Sequence, residues 1–374
     1  MQYTEYELGE LLPFEQPTAY IVKSTDYSDA YATPVLTAGK SFILGKTNET
    51  DGIFDQLPVI IFDDFTTATQ FVNFRFKVKS SAMKILHINT DLVIPKYIFY
   101  RLQIIQFDHS THKRYWIQSY SKIKVLIPPL DEQFRIVARI EELFSELDKA
   151  VDTLKTTKEQ LVVYRQAVLK SAFSDFNKKI IIRNTADIVT SGSRGWAKYY
   201  SETGALFIRI GNLTHAGIDI DLDDVQHITP PNNAEGTRTK LRTKDVLISI
   251  TADLGSIGFV TENIQEAYIN QHIALVRFSN PVQGKFMAWY LRSEYGQKDL
   301  LKNKRGGGKL GLGLDDIRDT PVPIVSDLVA QKTVDEIEER LSVCDSIEKT
   351  VDATLAQAGA MRQSILKQAF EEKI

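Results

Sequence analysis

Ile136-Val-Ala-Arg-Ile-Glu-Glu-Leu-Phe-Ser-Glu-Leu-Asp148 and Thr333-Val-Asp-Glu-Ile-Glu-Glu-Arg-Leu-Ser-Val-Cys-Asp345 match without gaps at an offset of 197 residues. The register holds to Tyr164-Arg-Gln-Ala-Val-Leu-Lys-Ser-Ala-Phe173, which faces Met361-Arg-Gln-Ser-Ile-Leu-Lys-Gln-Ala-Phe370. Identity at 15 of 38 aligned positions marks an internal duplication. In the first copy Val137, Ile140, Phe144, Leu147, Val151, Leu154, Leu161 and Val168 recur at alternating steps of three and four, with Lys158 and Arg165 in the same series. In the second the series is Val334, Ile337, Leu341, Cys344, Val351, Leu355, Ala358 and Ile365, with Glu348 and Arg362. That is the a/d seam of a coiled coil. It predicts long helices over 131–177 and 326–374, each a rod of roughly 60 Å. Prolines precede both copies, and Asp131 and Ser326 or Asp327 are the expected N-caps. A single such helix exposes its seam, so the two copies are expected to pack as an antiparallel coiled coil. The competing arrangement folds each seam into its own neighbouring domain.

Outside the helices lie residues 1–130 and 178–325, which mix strand and turn signals with short helical patterns. Strand candidates include Leu57-Pro-Val-Ile-Ile-Phe62, Ala205-Leu-Phe-Ile-Arg-Ile210, Asp245-Val-Leu-Ile-Ser-Ile250 and Ile273-Ala-Leu-Val-Arg-Phe278. Each region closes on a helix-like stretch, Tyr97-Ile-Phe-Tyr-Arg-Leu102 or Phe286-Met-Ala-Trp-Tyr-Leu291. The fold class read from this is α/β (α+β), two mixed domains alternating with two long helices in a pseudo-two-fold repeat.

The 374 residues are 43% hydrophobic and 25% charged, a globular composition of two or three units. The single cysteine, Cys344, excludes an internal disulfide framework and sits on the helical seam as a small buried hydrophobe. The start is acidic and lacks an apolar leader, and no apolar run is long enough to span a bilayer, so a cytoplasmic location is expected. The net charge of -3 conceals an uneven distribution. Residues 131–173 and 326–374 carry 13 Lys+Arg against 18 Asp+Glu, and the rest of the chain 32 against 30. Among residues 292–309, Lys302, Lys304, Arg305 and Lys309 flank or join a Gly-Gly-Gly loop whose backbone is open to a phosphate. Two alternating stripes, Arg75, Lys77, Lys79 and Arg238, Lys240, Arg242, Lys244, would place their cations on one strand face each. Together these favour a phosphate-contacting surface.

Catalytic signatures are missing. Leu310 follows Gly308-Lys309 where a nucleotide-binding P-loop needs Ser or Thr. Arg75 stands where a nuclease pairing Asp63 and Asp64 with Lys77 needs a carboxylate. Thr229-Pro-Pro-Asn232 lacks both the polar group and the aromatic with which an amino-methyltransferase holds its target amine. Asp108, His109 and His112 show no third metal ligand.

The domain–helix–domain–helix order, the run Pro128-Pro-Leu-Asp-Glu-Gln-Phe-Arg-Ile-Val137 and the Arg-Gln-x-x-Leu-Lys-x-x-Phe-like helix ends resemble the specificity subunits of type I restriction–modification systems. Phe207-Ile-Arg-Ile-Gly-Asn-Leu213, Asp245-Val-Leu-Ile-Ser-Ile250 and Tyr268-Ile-Asn-Gln-His272 add to the likeness. The second copy departs from it at Val325-Ser-Asp-Leu-Val-Ala-Gln331, and the first domain matches less well throughout. The resemblance implies a non-catalytic subunit with two target-recognition domains, each reading one half of a split double-stranded DNA site, with the helices as a ruler between them. It implies two methyltransferase subunits that bring S-adenosylmethionine and methylate adenine, restriction subunits with an ATP- and Mg-dependent motor, and no cofactor bound by this chain. Base-reading candidates are Lys40, Thr66, Thr67 and Gln70 in the first domain, and Arg194, Asn212, Thr251, Asp253, Gln271 and His272 in the second. Lys302, Lys304, Arg305 and Lys309, with the stripe residues Arg238, Lys240 and Arg242, are expected to grip phosphates. Two rival readings stay open at this point: a coiled-coil scaffold whose domains bind protein, and the specificity subunit of a related system that cuts on both sides of a split site.

Overall fold

A computed structural model describes residues 3–37, 41–108, 114–230, 234–305 and 310–371. The duplicated stretches form two helices of 44 residues each, Leu130–Phe173 and Asp327–Phe370. The second begins on Ser326, whose Oγ accepts from the Val329 amide at 3.4 Å and whose carbonyl accepts from Ala330 at 2.9 Å. The first starts differently from the sequence expectation. The Pro129 carbonyl accepts from Glu132 and Gln133, so Asp131 lies inside the first turn, where its charge suits the helix dipole, rather than at the cap. Buried Gln133 ties that turn down, its amide donating to the Leu92 and Pro128 carbonyls while its Oε1 accepts from Ile94 N at 2.8 Å.

The chain divides into two compact units, Met1–Leu154 with Asp352–Ile374, and Lys155–Val351. Each therefore contains the start of one long helix and the end of the other. In the first unit Ile136, Val137 and Ile140 share a buried core with Tyr97, Ile98, Leu366 and Ala369, and Phe144 packs against it. In the second Val168, Leu169 and Phe173 share one with Phe286, Tyr290, Val334, Ile337 and Leu341. The seam thus meets both the facing helix and the neighbouring domain, because a stripe of this width has two sides to cover. Leu161, Val351 and Cys344 are buried, whereas Leu147, Leu154, Leu355 and Ile365 are half-buried.

Polar seam positions are paired across the helices inside each unit. Arg165 reaches Asp345 at 2.7 Å and Glu348 at 2.9 Å, and Lys158 lies 3.9 Å from Glu348. In the other unit Arg362 pairs with Asp148 and lies 4.5 Å over the Phe144 ring. Arg165 and Arg362 occupy one repeat position, and Asp148 and Asp345 another, so a single contact recurs in both units.

The domains share a topology without sharing sequence. In the first unit a four-stranded antiparallel sheet runs Phe14–Glu15, Met83–His87, Val59–Asp63, Thr69–Val72. In the second the order is Ala186–Ser191, Ile273–Phe278, Val246–Ser249, Ile257–Phe259. Each unit adds a strand paired in parallel, Thr33–Leu36 with Lys77–Val78 and Ala205–Ile208 with Ala267–Ile269. In each, the strand leading into the long helix pairs antiparallel with a strand at the domain's start: Lys124–Ile127 with Thr4–Glu7, and Pro321–Pro323 with Lys179–Ile181. Among the described residues no helix is long and apolar enough to cross a membrane.

Candidate nucleic-acid interface

The hairpin at one edge of each domain's four-stranded sheet carries nominated residues at its turn. In the second unit the strands end at Ser249 and resume at Ile257. Ser249 Oγ accepts from Ser256 N at 2.8 Å, and the Ser249 amide donates to the Ser256 carbonyl at 2.9 Å, which closes the turn from below. Gly255 has φ +85°, and a Cβ there would meet Gln297 Oε1 at 2.4 Å. Gln297 Nε2 donates to the Gly255 carbonyl at 2.8 Å, fixing the close approach that glycine permits. Thr251, Ala252 and Asp253 form the tip. Ala252 takes φ +62° and donates its amide to the Leu310 carbonyl at 3.1 Å.

Segments distant in sequence meet this tip. Ile250 donates to the His272 carbonyl and accepts from Leu312, both at 2.9 Å. Thr251 bridges Gly311, which in turn bridges Arg305. Thr251 Oγ1 lies 2.6 Å from His272 Nδ1, and Gln271 Nε2 lies 2.9 Å from His272 Nε2. Thr251, Gln271 and His272 are half-buried and Asp253 exposed. The structure therefore brings together Thr251, Asp253, Gln271, His272 and the stretch containing exposed Lys302 and Lys304. Arg194 is exposed on a loop whose Gly192 crosses against Asn270.

In the first unit the corresponding turn is Asp63–Ala68. Asp63 Oδ1 accepts from Phe65 N at 2.8 Å and Thr66 N at 3.3 Å, and Thr67 takes φ +58°. Thr66 and Gln70 are exposed and Thr67 half-buried. The positive-φ residue at both tips, Thr67 and Ala252, shows the same device in two unrelated sequences. Lys40 and Lys309 lie outside the described residues, as do His109 and His112. Among the described residues no three His, Cys, Asp or Glu side chains are grouped to hold a metal.

Several expectations are corrected. Asn212 is buried, its Oδ1 accepting from Arg209 N at 2.8 Å and its Nδ2 donating to the Asp221 and Asp224 carbonyls at 2.9 and 3.2 Å. Its amide staples a loop and has no edge left for a base. Lys77 points inward at 1% exposure, donating to the Asp51 carbonyl and lying 3.1 Å from Glu49, so Arg75, Lys77 and Lys79 share no solvent face. The second stripe is not a strand either. Ala234–Thr239 is helical, Lys240 forms a single bridge to Tyr268, and Lys244 turns at φ +73°. Arg238, Lys240 and Arg242 are exposed but project from three different local structures. Lys240 reaches Glu266 at 2.5 Å and holds its carboxyl below the usual range, helped by the Tyr268 hydroxyl. Burial, followed by its bond to Glu266, pushes the Tyr268 hydroxyl up to about 12. Arg305 lies 2.8 Å from the Asp316 carboxylate, so part of its charge is already met.

Sequence reading missed His215 and Ser256. His215 Nε2 lies 2.8 Å from Asp253 Oδ1 and 3.1 Å from Ser256 Oγ. Both partners meet one ring nitrogen, whereas a nucleophilic triad uses the two nitrogens separately. The cluster orients Asp253 at the hairpin tip. A lone histidine 38 residues earlier carries no sequence signal for this.

A profile of the Type I restriction modification DNA specificity domain matches residues 207–357. The chain is 50% identical over 147 residues to the type I restriction enzyme EcoR124I/EcoR124II specificity subunit of Escherichia coli, covering 38% of this chain and 36% of that protein. It is 25% identical over 281 residues to the EcoBI specificity subunit of Escherichia coli, covering 66% and 58% respectively. These matches span less than two thirds of either relative's length. The fold is similar over 100% of this chain to a chain of a solved type I R-M system, of which 98% is covered, with TM-score 0.71 and 16% identity. It is similar to the HsdS subunit from Thermoanaerobacter tengcongensis with TM-score 0.59 and 16% identity, covering 100% and 97%.

Proposed function

We propose that the chain belongs to the type I restriction–modification specificity-subunit family, that it is the DNA-reading subunit of such a complex and that it performs no chemistry itself. The observation that carries this reading is the convergence of the Thr251–Asp253 hairpin tip, the Gln271–His272 turn and the cationic Lys302–Arg305 stretch within one unit. Amide, imidazole and hydroxyl groups of this kind discriminate base edges, while neighbouring lysines contact phosphates whatever the sequence. The matching hairpin in the first unit, with Thr66, Thr67 and Gln70 at or beside its turn, supports a second reader. On this reading the target has two parts and the long helices fix the gap between them. Two methyltransferase subunits supply S-adenosylmethionine and methylate adenine, and restriction subunits supply the ATP- and Mg-dependent motor.

The test is a selection on randomised duplexes with the chain and its methyltransferase subunit together. A two-part motif containing an adenine in each part is expected, with binding that weakens steeply as salt rises. Binding indifferent to sequence, or no binding, refutes the proposal and favours a protein-binding scaffold.

A further inference from the structure

We propose that Arg238 is a positioning residue that sets the base-facing loop Ser191–Gly195, and that it does not grip a phosphate. The inference rests on the reading of the second unit as a DNA reader. Arg238 Nη1 donates to Thr190 Oγ1 at 2.6 Å and to the Ser191 carbonyl at 2.8 Å, and Nη2 donates to Ser193 Oγ at 2.7 Å. The planar fork of the guanidinium is thus spread over three oxygens where the strand Ala186–Ser191 runs into the loop, a geometry that lysine cannot reproduce.

The same loop is pinned at two further points. At Gly192 a Cβ would lie 2.3 Å from the Asn270 carbonyl carbon and oxygen and from the Ile269 oxygen, so the backbones cross in contact there. Beyond Gly195, at φ +86°, Trp196 is buried and stacks on Phe207 with centroids 5.2 Å apart and planes 12° apart. Exposed Arg194 sits between these pins, and Gln271 and His272 directly follow the Asn270 that Gly192 touches. The arginine fork is a third hold on the loop, beside the crossing and the tryptophan. The direction of Arg194 relative to Gln271 and His272 follows from it.

The experiment uses the full chain bound to its methyltransferase subunit, the duplex recovered from a randomised library, and a set of single-base variants of that duplex. Arg238→Ala and Arg238→Lys are both expected to lose roughly tenfold discrimination at bases of one half-site only, with the slope of log K against log salt unchanged. Ser193→Ala, which removes one acceptor, should show a smaller loss at the same bases. It also keeps the test decisive if Arg238→Ala fails to fold. A phosphate contact behaves otherwise: Arg238→Lys would bind like wild type, and Arg238→Ala would weaken all duplexes alike and flatten the slope by about 0.9. That result, with Ser193→Ala indistinguishable from wild type, overturns the inference while leaving DNA reading intact. A wild-type complex that binds every duplex equally overturns both.

Discussion

Phe173 and Phe370 hold the same position in the duplicated helices but close different units, and truncating each separates the two-unit description from the simpler picture of two domains joined by a free-standing coiled coil. Phe173 is 2% exposed and meets Phe286 and Tyr290 edge-on at 5.4 and 5.5 Å. Phe173→Ala therefore removes a fully packed aromatic and should cost the second unit about 3–5 kcal/mol. Phe370 is half-buried, with Tyr97 edge-on at 5.3 Å and the Arg101 guanidinium 5.4 Å above its ring. Phe370→Ala should cost the first unit about 2 kcal/mol, from partial burial and a partly solvated cation–π contact. The three tryptophans make the assay specific, since Trp116 belongs to the first unit and Trp196 and Trp289 to the second. Denaturant unfolding followed in a Trp116→Phe background reports the second unit, and a Trp196→Phe, Trp289→Phe background reports the first. A Phe370→Ala cost equal to that of Phe173→Ala, or a Phe173→Ala effect confined to the Trp116 signal, would refute the assignment of helix ends to units.

Asn212→Ala should destabilise the second unit by about 1–3 kcal/mol, because Arg209 N and two carbonyls lose their partner in a buried site; thermal unfolding checks it, and an unchanged midpoint would restore Asn212 as a base reader. Tyr268 should make the second unit sensitive to alkali. Its folded pKa of about 12 lies above the ordinary 10, so between those values the native state holds more protons than the unfolded one and stability falls as pH rises. Tyr268→Phe should move the alkaline unfolding midpoint upward, and an unmoved midpoint counts against this. Inserting four residues into each long helix at the unit boundaries, after Leu154 and after Val351, adds about 6 Å of rise and should lengthen the preferred target gap by one or two base pairs at about 3.4 Å each; randomised-spacer selection that returns the original gap would count against the proposed ruler.

The helices were legible because their period persists over many turns, through charged interruptions such as Lys158 and Glu348. The sheets were only partly legible. Val59–Asp63 and Val246–Ser249 are buried on both faces, which erases the period of two that marks a half-exposed strand. Alternation misled where chemistry overrode it: Glu49 and the Asp51 carbonyl draw Lys77 inward, and the Asp245 carboxylate accepts from Arg242 N at 2.7 Å, breaking the second stripe into a turn. The candidate site was legible as residue types near basic clusters. Its assembly was not, since Ile250, Thr251, His272 and Gly311 meet through backbone and side-chain bonds between segments with no common local pattern.

The first unit borrows the second helix's far end to complete its own interior. A change in the stretch after Val351 is therefore felt far earlier in the chain. A frameshift after Val351 would strip Leu366 and Ala369 from beneath Tyr97 and Ile98, crippling the first unit while the second kept its own closure.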